Sequence, residues 1–104
     1  MRRPRSMIFR VAVSGPSMVP TLRSGDVVLA VRRRRVQPGD VVLARYRSMP
    51  DRLVVKRVER SDDRGYRLVS DNPYAGGDSA RHGVADVEAQ VLLRLAPGRP
   101  QRVR

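Results

Sequence analysis

A six-residue segment occurs twice in this chain and restricts the folds that it can adopt. The sequence GDVVLA at residues 25–30 recurs at residues 39–44. In each copy a Gly-Asp pair, which favours a turn, comes directly before a β-branched apolar run, which favours a strand. The short distance between the copies predicts two adjacent strands rather than a solenoid.

Other short apolar runs predict further strands between turns. They cover residues 7–13, 53–59, 66–69, 84–88 (a strand or a short turn) and 90–95. No segment has the 3.6-residue periodicity of an amphipathic helix. The pattern predicts an all-β fold, with six to eight short strands in a coiled sheet or partial barrel. With 104 residues we expect a single domain with a core at about residues 7–95 and flexible basic ends at 1–6 and 96–104.

One segment between the predicted strands, residues 14–22 with the sequence SGPSMVPTL, has a different character. Gly15, Pro16 and Pro20 disfavour both a helix and a central strand, so a shaped turn is predicted here. Such a turn can hold the hydroxyl of Ser17 at a fixed angle. Because a serine hydroxyl is a weak nucleophile near neutral pH, it would need a base beside it.

The composition offers one candidate for that base. Lys56 is the only lysine of the chain, and the other 21 of its 22 basic residues are arginine. Arginine stays protonated in proteins, whereas burial favours the neutral form of a lysine. Lys56 shares one face of its predicted strand with Val54 and Val58, so we pair it with Ser17. The alternative is an edge lysine whose ammonium group reaches solvent.

The formal net charge of +12 permits a second class of function. A non-catalytic basic β-domain could bind nucleic acid or an acidic partner. Aromatic residues make up 4% of the chain, which disfavours base stacking, and the near-absence of lysine indicates a general arginine bias. Nucleic acid is therefore not expected as a partner.

Cysteine and histidine limit the remaining chemistry. The chain has no cysteine and one histidine, His82, so we expect no cysteine nucleophile, no disulfide, no metal site and no cofactor. A triad of Ser17, His82 and an aspartate is disfavoured because His82 lies in a polar loop and is predicted to be exposed.

The chain resembles the type I signal peptidases at residues 14–22, 25–26, 55–58, 71–72 and 78–79. These segments match the successive sequence boxes of that family in their order, and the resemblance covers about residues 11–95. It implies a serine endopeptidase with a Ser-Lys dyad on an all-β fold, here a small signal-peptidase-like (LexA-type) catalytic domain. It also implies a protein or peptide substrate.

Several roles follow from this resemblance. Ser17 would attack the scissile carbonyl, and Lys56 would take its proton and pass it to the leaving amine. The backbone N–H of Ser17 would bind the oxyanion; the family often has a hydroxyl donor at the position of Gly15, so a second donor is not identified. Met18 would line the substrate pocket, and the substrate would lie extended beside the strand that carries Val55.

The last box departs from the family pattern. The resemblance implies that Asp78 braces the loop and that Ser79 contacts Lys56. Ser70 stands where the family often has glycine, and Gly76 stands where some members have a serine near the dyad lysine.

Residues 71–74, with the sequence DNPY, most resemble the maturation proteases of nickel-type superoxide dismutase. That resemblance implies removal of an N-terminal propeptide from a precursor of this enzyme; processing of another precursor is the alternative. LexA-type repressors cleave themselves, but no helix-turn-helix region and no evident cleavable linker precede Ser17. No apolar run approaches the ~20 residues of a membrane span, so we expect no membrane segment and a cytoplasmic location. The sequence does not predict the oligomeric state.

Overall fold

The computed structural model describes residues 7–32, 35–75 and 79–104. Within these ranges the chain forms seven strands and a four-residue helix. They are β1 (Ile8–Ala12), β2 (Val27–Val31), β3 (Val41–Tyr46), β4 (Val54–Asp62), β5 (Gly65–Val69), α1 (Ser79–His82), β6 (Ala85–Ala96) and β7 (Gln101–Arg102). No helix in the described part of the chain is long and apolar enough to span a membrane.

The strands form one antiparallel sheet that closes on itself in part. Their order is β1-β2-β6-β3-β4-β5, and β7 also pairs with β6. A further pairing of β5 with β6, between Tyr66 and Ala85, joins β6, β3, β4 and β5 into a ring. The prediction of an all-β, partly closed barrel is therefore confirmed.

The repeated segment forms the same turn twice. The Asp26 carboxylate accepts a hydrogen bond from the N–H of Arg23, and the Asp40 carboxylate accepts one from the N–H of Gln37, both over 2.9 Å. The glycine before each aspartate has a φ angle of +94°, a conformation that favours glycine. Local sequence thus sets the start of β2 and β3 in the same way.

The two repeated strands are not adjacent, so that prediction is wrong. The twelve-residue strand β6 lies between them and pairs with β2 through residues 90–96 and with β3 through residues 85–90. The Gly-Asp pair of each repeat forms backbone hydrogen bonds with a different part of the chain. Residues 25–26 bond to Val13, and residues 39–40 bond to Val58. The single long strand β6 therefore pairs with both of the repeated strands.

The C-terminal region contains strand structure that the sequence did not predict. The segments predicted at 84–88 and 90–95 form the single strand β6. The expected flexible end at 96–104 instead contains β7, and the N–H of Val103 donates to the carbonyl of Leu92 over 2.9 Å. Val103 also packs against the core, which explains why this end follows β6. The flexible end predicted at 1–6 lies outside the described residues.

Among the described residues two apolar clusters form the core, and β3 contributes to both. Val41 and Leu43 point into the first cluster, while Val42, Ala44 and Tyr46 point into the second. Because alternate residues of a strand face opposite sides, a continuous apolar run allows β3 to be buried on both faces. β3 is therefore buried along almost its whole length.

Candidate active site

The turn that carries Ser17 begins at an anchored position. β1 ends at Ala12, and the N–H of Val13 donates to the carbonyl of Asp26 over 2.7 Å. The N–H of Gly25 donates back to the carbonyl of Val13 over 2.8 Å. Ser17 follows four residues later and is half-buried. The start of β2 thus fixes the point at which the chain enters the turn.

Two apolar side chains fix the second half of the turn. Met18 and Leu22 are each 1% exposed in the first core cluster, and the N–H of Leu22 donates to the carbonyl of Met18 over 2.9 Å. The resemblance placed Met18 on the wall of a substrate pocket. The structure places it in the core beneath the turn, because its side chain helps to seat the turn on the sheet. Its contact with substrate stays a prediction.

Gly15 supplies the backbone conformation that the turn needs. Its φ angle is +84°, which is unfavourable for other residues, although no atom lies within 4 Å of the place where a Cβ would stand. Backbone strain rather than lack of space therefore demands glycine. The same fact gives a physical reason why this chain has no hydroxyl side chain at that position.

Lys56 is buried in β4. It is 5% exposed and shares a strand face with Val58, which is 2% exposed, as the alternation predicted. In the sheet it pairs with Val42 of β3, and its Nζ donates a hydrogen bond to Oγ of Ser70 over 2.9 Å. The alternative of an edge lysine reaching solvent is therefore wrong.

Ser17 and Lys56 lie on the wall of one cavity of about 390 Å³. One side of the cavity is the end of β1 and the start of the turn, residues 11–17. The other side is residues 52–56, which lead into β4. Tyr46, Met49, Ala75 and His82 also line the cavity. Folding thus brings the two predicted catalytic residues to the same concave surface.

The described wall of this cavity combines apolar and polar side chains. Among the described residues that line it, Arg52 carries a permanent positive charge, Lys56 is the other basic residue, and none is an aspartate or a glutamate. Val55, predicted to flank the substrate, is half-buried and also lines the cavity. A neutral or acidic peptide segment fits these surroundings better than a basic one.

His82 occupies a position that the sequence did not predict. It is half-buried on the cavity wall, and its ring centroid lies 5.1 Å from that of Tyr46. Among the described residues its imidazole makes no hydrogen bond with a carboxylate. Within those residues, the structure therefore provides no third member for a Ser-His-Asp triad.

Asp71 links the Ser17 turn to β4. Arg57 donates two hydrogen bonds to it, from Nε to Oδ1 over 2.8 Å and from Nη2 to Oδ2 over 2.7 Å. The hydroxyl of Thr21, in the turn, donates to the same carboxylate. The paired guanidinium and the other donors hold the pKa of Asp71 below its ordinary value.

Asn72 binds the backbone of the turn directly. Its N–H donates to the carbonyl of Ser17 over 2.9 Å, and its Nδ2 donates to the carbonyl of Pro16 over 3.1 Å. The Asp-Asn pair therefore fixes both the main chain around Ser17 and the far end of the turn. This is a physical role for residues that the sequence identified by resemblance alone.

Of the two predicted supporting residues, Ser79 has a different partner and Asp78 lies outside the described residues. Ser79 is 6% exposed, and its Oγ accepts a hydrogen bond from the N–H of Leu68 over 2.7 Å. It therefore fixes β5, and the contact with Lys56 that was predicted for it is made by Ser70. The register of the sheet explains this, because Arg57 pairs with Val69 and so the next residue of that segment faces Lys56.

Sequence reasoning missed Ser70, Arg57 and Thr21 as members of the site. The sequence did contain one indication that Ser70 belongs to the site, because it is the hydroxyl residue next to the Asp-Asn pair. Without the register of β4 and β5, however, nothing in the sequence said which hydroxyl of the loop would meet the lysine. The contacts of Arg57 and Thr21 likewise depend on tertiary structure.

Comparison with known proteins decides the family. The sequence model of the Peptidase S24-like family matches residues 1–91. The chain belongs to this family. It is thus a peptidase that acts on protein substrates, and the prediction of a signal-peptidase-like serine peptidase is confirmed at this level.

Three relatives of this S24-like peptidase are mitochondrial proteases. The ATP-independent inner membrane protease subunit 1a of Arabidopsis thaliana is 34% identical, over 89% of this chain and 73% of the relative. The inner membrane protease subunit 1 of Mus musculus is 37% identical, over 61% of this chain and 39% of the relative. The Homo sapiens subunit 1 is 42% identical over 46% of this chain. The chain thus spans 39% and 31% of the two mammalian relatives.

Proposed function

We propose that this chain is a serine endopeptidase with a Ser17–Lys56 dyad, which removes an N-terminal propeptide from a precursor protein. The observation that carries the proposal is that the only lysine of the chain is 5% exposed on the wall of the cavity that also holds Ser17. Burial disfavours the ammonium form, and a neutral amine is what a lysine base requires.

The proposed reaction begins with attack by Ser17. As Oγ forms a bond to the scissile carbonyl carbon, its proton passes to Nζ of Lys56, and the carbonyl oxygen becomes an oxyanion. The N–H of Ser17 donates to that oxygen. Collapse of the intermediate breaks the C–N bond, and Lys56 gives its proton to the leaving amine. Water then attacks the acyl carbon and passes a proton to the neutral Lys56; the C–O bond to Oγ of Ser17 breaks, and Lys56 returns the proton to Oγ, which frees the new carboxyl end and restores both residues.

The strand edge beside Lys56 gives the substrate a place to bind. Within the described residues, β4 pairs with β3 from Val54 onward, whereas its pairing with β5 begins only at Arg57. The edge of β4 at residues 54–55 faces away from β3, and both residues line the cavity. An extended peptide can add to such an edge through main-chain hydrogen bonds, with alternate side chains in the cavity.

We propose a precursor of nickel-type superoxide dismutase as the substrate. The support is the resemblance of residues 71–74 to the proteases that mature this enzyme. The relatives described above are subunits of mitochondrial inner membrane proteases, so another precursor is the competing substrate.

Mass spectrometry of a cleavage reaction tests this function. The purified precursor, and separately a library of peptides from a whole proteome, are incubated with the wild-type protein and with the Ser17→Ala variant. We expect one N-terminal loss from the precursor, and cuts in the library, with the wild type alone. Library cuts without loss from the precursor would refute the substrate but keep the peptidase. Equal cutting by both proteins, or no cutting by either, would contradict the proposed function.

A further inference from the structure

We propose that Ser70 is a positioning residue for Lys56, whose hydroxyl holds the amine in the orientation in which it takes the proton of Ser17. This inference rests on the proposed function, because Ser70 acts through the proposed base. The direct observation is the hydrogen bond of 2.9 Å from Nζ of Lys56 to Oγ of Ser70. Neither the family pattern nor the sequence assigned a role to this serine.

The fold leaves Ser70 little freedom to move. Val69, directly before it, pairs with Arg57 in the sheet. Asp71, directly after it, accepts two hydrogen bonds from the side chain of the same Arg57. The Ser70 backbone is thus held on both sides by the residue next to Lys56. A hydroxyl on a segment with so little freedom can hold the flexible side chain of Lys56 in one orientation.

The orientation of the Lys56 amine matters for proton transfer. A lysine side chain has four rotatable bonds, and a neutral amine has one lone pair that must face the proton it receives. A hydrogen bond from one N–H of the amine to Ser70 fixes the rotation about the terminal C–N bond and so the direction of the lone pair. Displacement of a reacting group by about 1 Å can lower a rate about 100-fold.

The second serine of this region does not serve the same purpose. Ser79 Oγ accepts a hydrogen bond from the N–H of Leu68, and this bond shapes β5. Ser70 is therefore the serine of the segment between β5 and α1 that contacts the lysine. The two serines differ in a way that experiment can separate, since one acts on Lys56 and the other on a strand.

Kinetics of four variants test the role of Ser70. The substrate is the library peptide that the wild type cuts fastest, and kcat, KM and the thermal midpoint are measured for each protein. Ser70→Ala and Ser70→Gly remove the hydroxyl with different side-chain volumes, and Ser70→Thr keeps it. Ser61→Ala removes an exposed serine from the far part of β4 and is the matched control.

We expect Ser70→Ala and Ser70→Gly to lower kcat by about 10- to 100-fold with KM almost unchanged. Ser70→Thr should keep most of kcat, and Ser61→Ala should match the wild type. A kcat of Ser70→Ala within twofold of the wild type would overturn the inference. So would losses of kcat that follow losses of thermal stability across the variants. If Ser17→Ala cuts as fast as the wild type, the proposed function fails; if Ser17 is needed but Ser70 is not, only this inference fails.

Discussion

At the scale of single residues, the candidate site depends on two positions that the fold holds under constraint. Lys56 is a charged residue type in a core position, 5% exposed and paired with a fully buried valine. Ser17 lies on a turn whose shape depends on a glycine with a φ angle of +84°. Taken alone, the burial of a lysine and the strained turn each lower the stability of the fold. Together they position the Lys56 amine and the Ser17 hydroxyl at one cavity. Local strain of this kind is common at functional sites.

Gly15 gives the first prediction. The substitution Gly15→Ala should lower the free energy of unfolding by about 1–2 kcal/mol, because alanine disfavours a positive φ angle. It should also lower kcat/KM, because the turn that holds Ser17 must shift. Gly98→Ala is the control, since Gly98 has a φ angle of +78° and equally open space. Urea unfolding and peptide kinetics should show a similar loss of stability in both and a loss of activity in Gly15→Ala alone; unchanged activity there would contradict the role of the turn.

At the scale of elements, the segment after β5 joins the two halves of the site. Asp71 connects β4 to the far end of the turn through Arg57 and Thr21, and Asn72 holds the carbonyl of Ser17. The nucleophile and the proposed base thus lie on separate elements that one short segment fixes relative to each other. A change in this segment should affect catalysis and stability together.

The second prediction concerns the pH dependence of this link. Asp71→Asn should lower the free energy of unfolding at pH 7 by about 1–2 kcal/mol, since it breaks a charged, largely buried hydrogen-bonded pair. The pKa of Asp71 in the folded chain lies below its ordinary value of 3.8, mainly because of Arg57. The stabilisation is therefore present above pH 4 and is lost as pH falls through the lowered value. The difference between variant and wild type should shrink at pH 3.

Urea unfolding at pH 7 and pH 3 measures this difference. The control is Asp86→Asn, which breaks the pair of Asp86 with Arg47, where the side chains are 62% and 51% exposed. Solvent screens such a pair, so this variant should change stability little at either pH. An Asp71→Asn effect that is equal at both pH values would contradict the proposed ionic link.

Elements could be predicted from local sequence, but their partners could not. The Gly-Asp turns set the starts of β2 and β3, and the alternation around Lys56 gave its buried face. The place of β6 between the repeats depends on contacts between residues far apart in the chain, as does the meeting of Ser70 with Lys56. His82 was predicted to be exposed because its loop is polar, yet packing against Tyr46 places it on the cavity wall.

At the scale of the whole molecule, charge is the dominant property. The chain has a formal net charge of +12, and the described wall of its cavity includes no carboxylate. A positive field of this kind raises the local concentration of acidic ligands and is weakened by salt. The arginine excess thus has an interpretation that does not require nucleic acid.

The third prediction is that the charge of the peptide changes its binding, measured as KM, more than it changes the rate of the chemical step. For a cleaved peptide, replacing neutral residues beside the cut with glutamate should lower KM, and replacing them with lysine should raise it. The KM of the glutamate peptide should rise as salt increases from about 50 to 500 mM, over which the screening length falls below about 10 Å. Steady-state kinetics at both salt concentrations measure this. A KM independent of peptide charge and salt would contradict a role of the positive charge of the chain in binding.

The most direct test of the Ser17–Lys56 dyad compares two residues on the cavity wall that could accept a proton. We expect Lys56→Met, and Lys56→Arg with its permanent charge, to lower kcat/KM at least about 10³-fold while the thermal midpoint shows a folded protein. His82→Gln should keep kcat/KM within about tenfold, because proton transfer does not pass through the imidazole. Full activity of a Lys56 variant would contradict the dyad. Loss of activity in His82→Gln alone would also contradict it and would make the histidine the base.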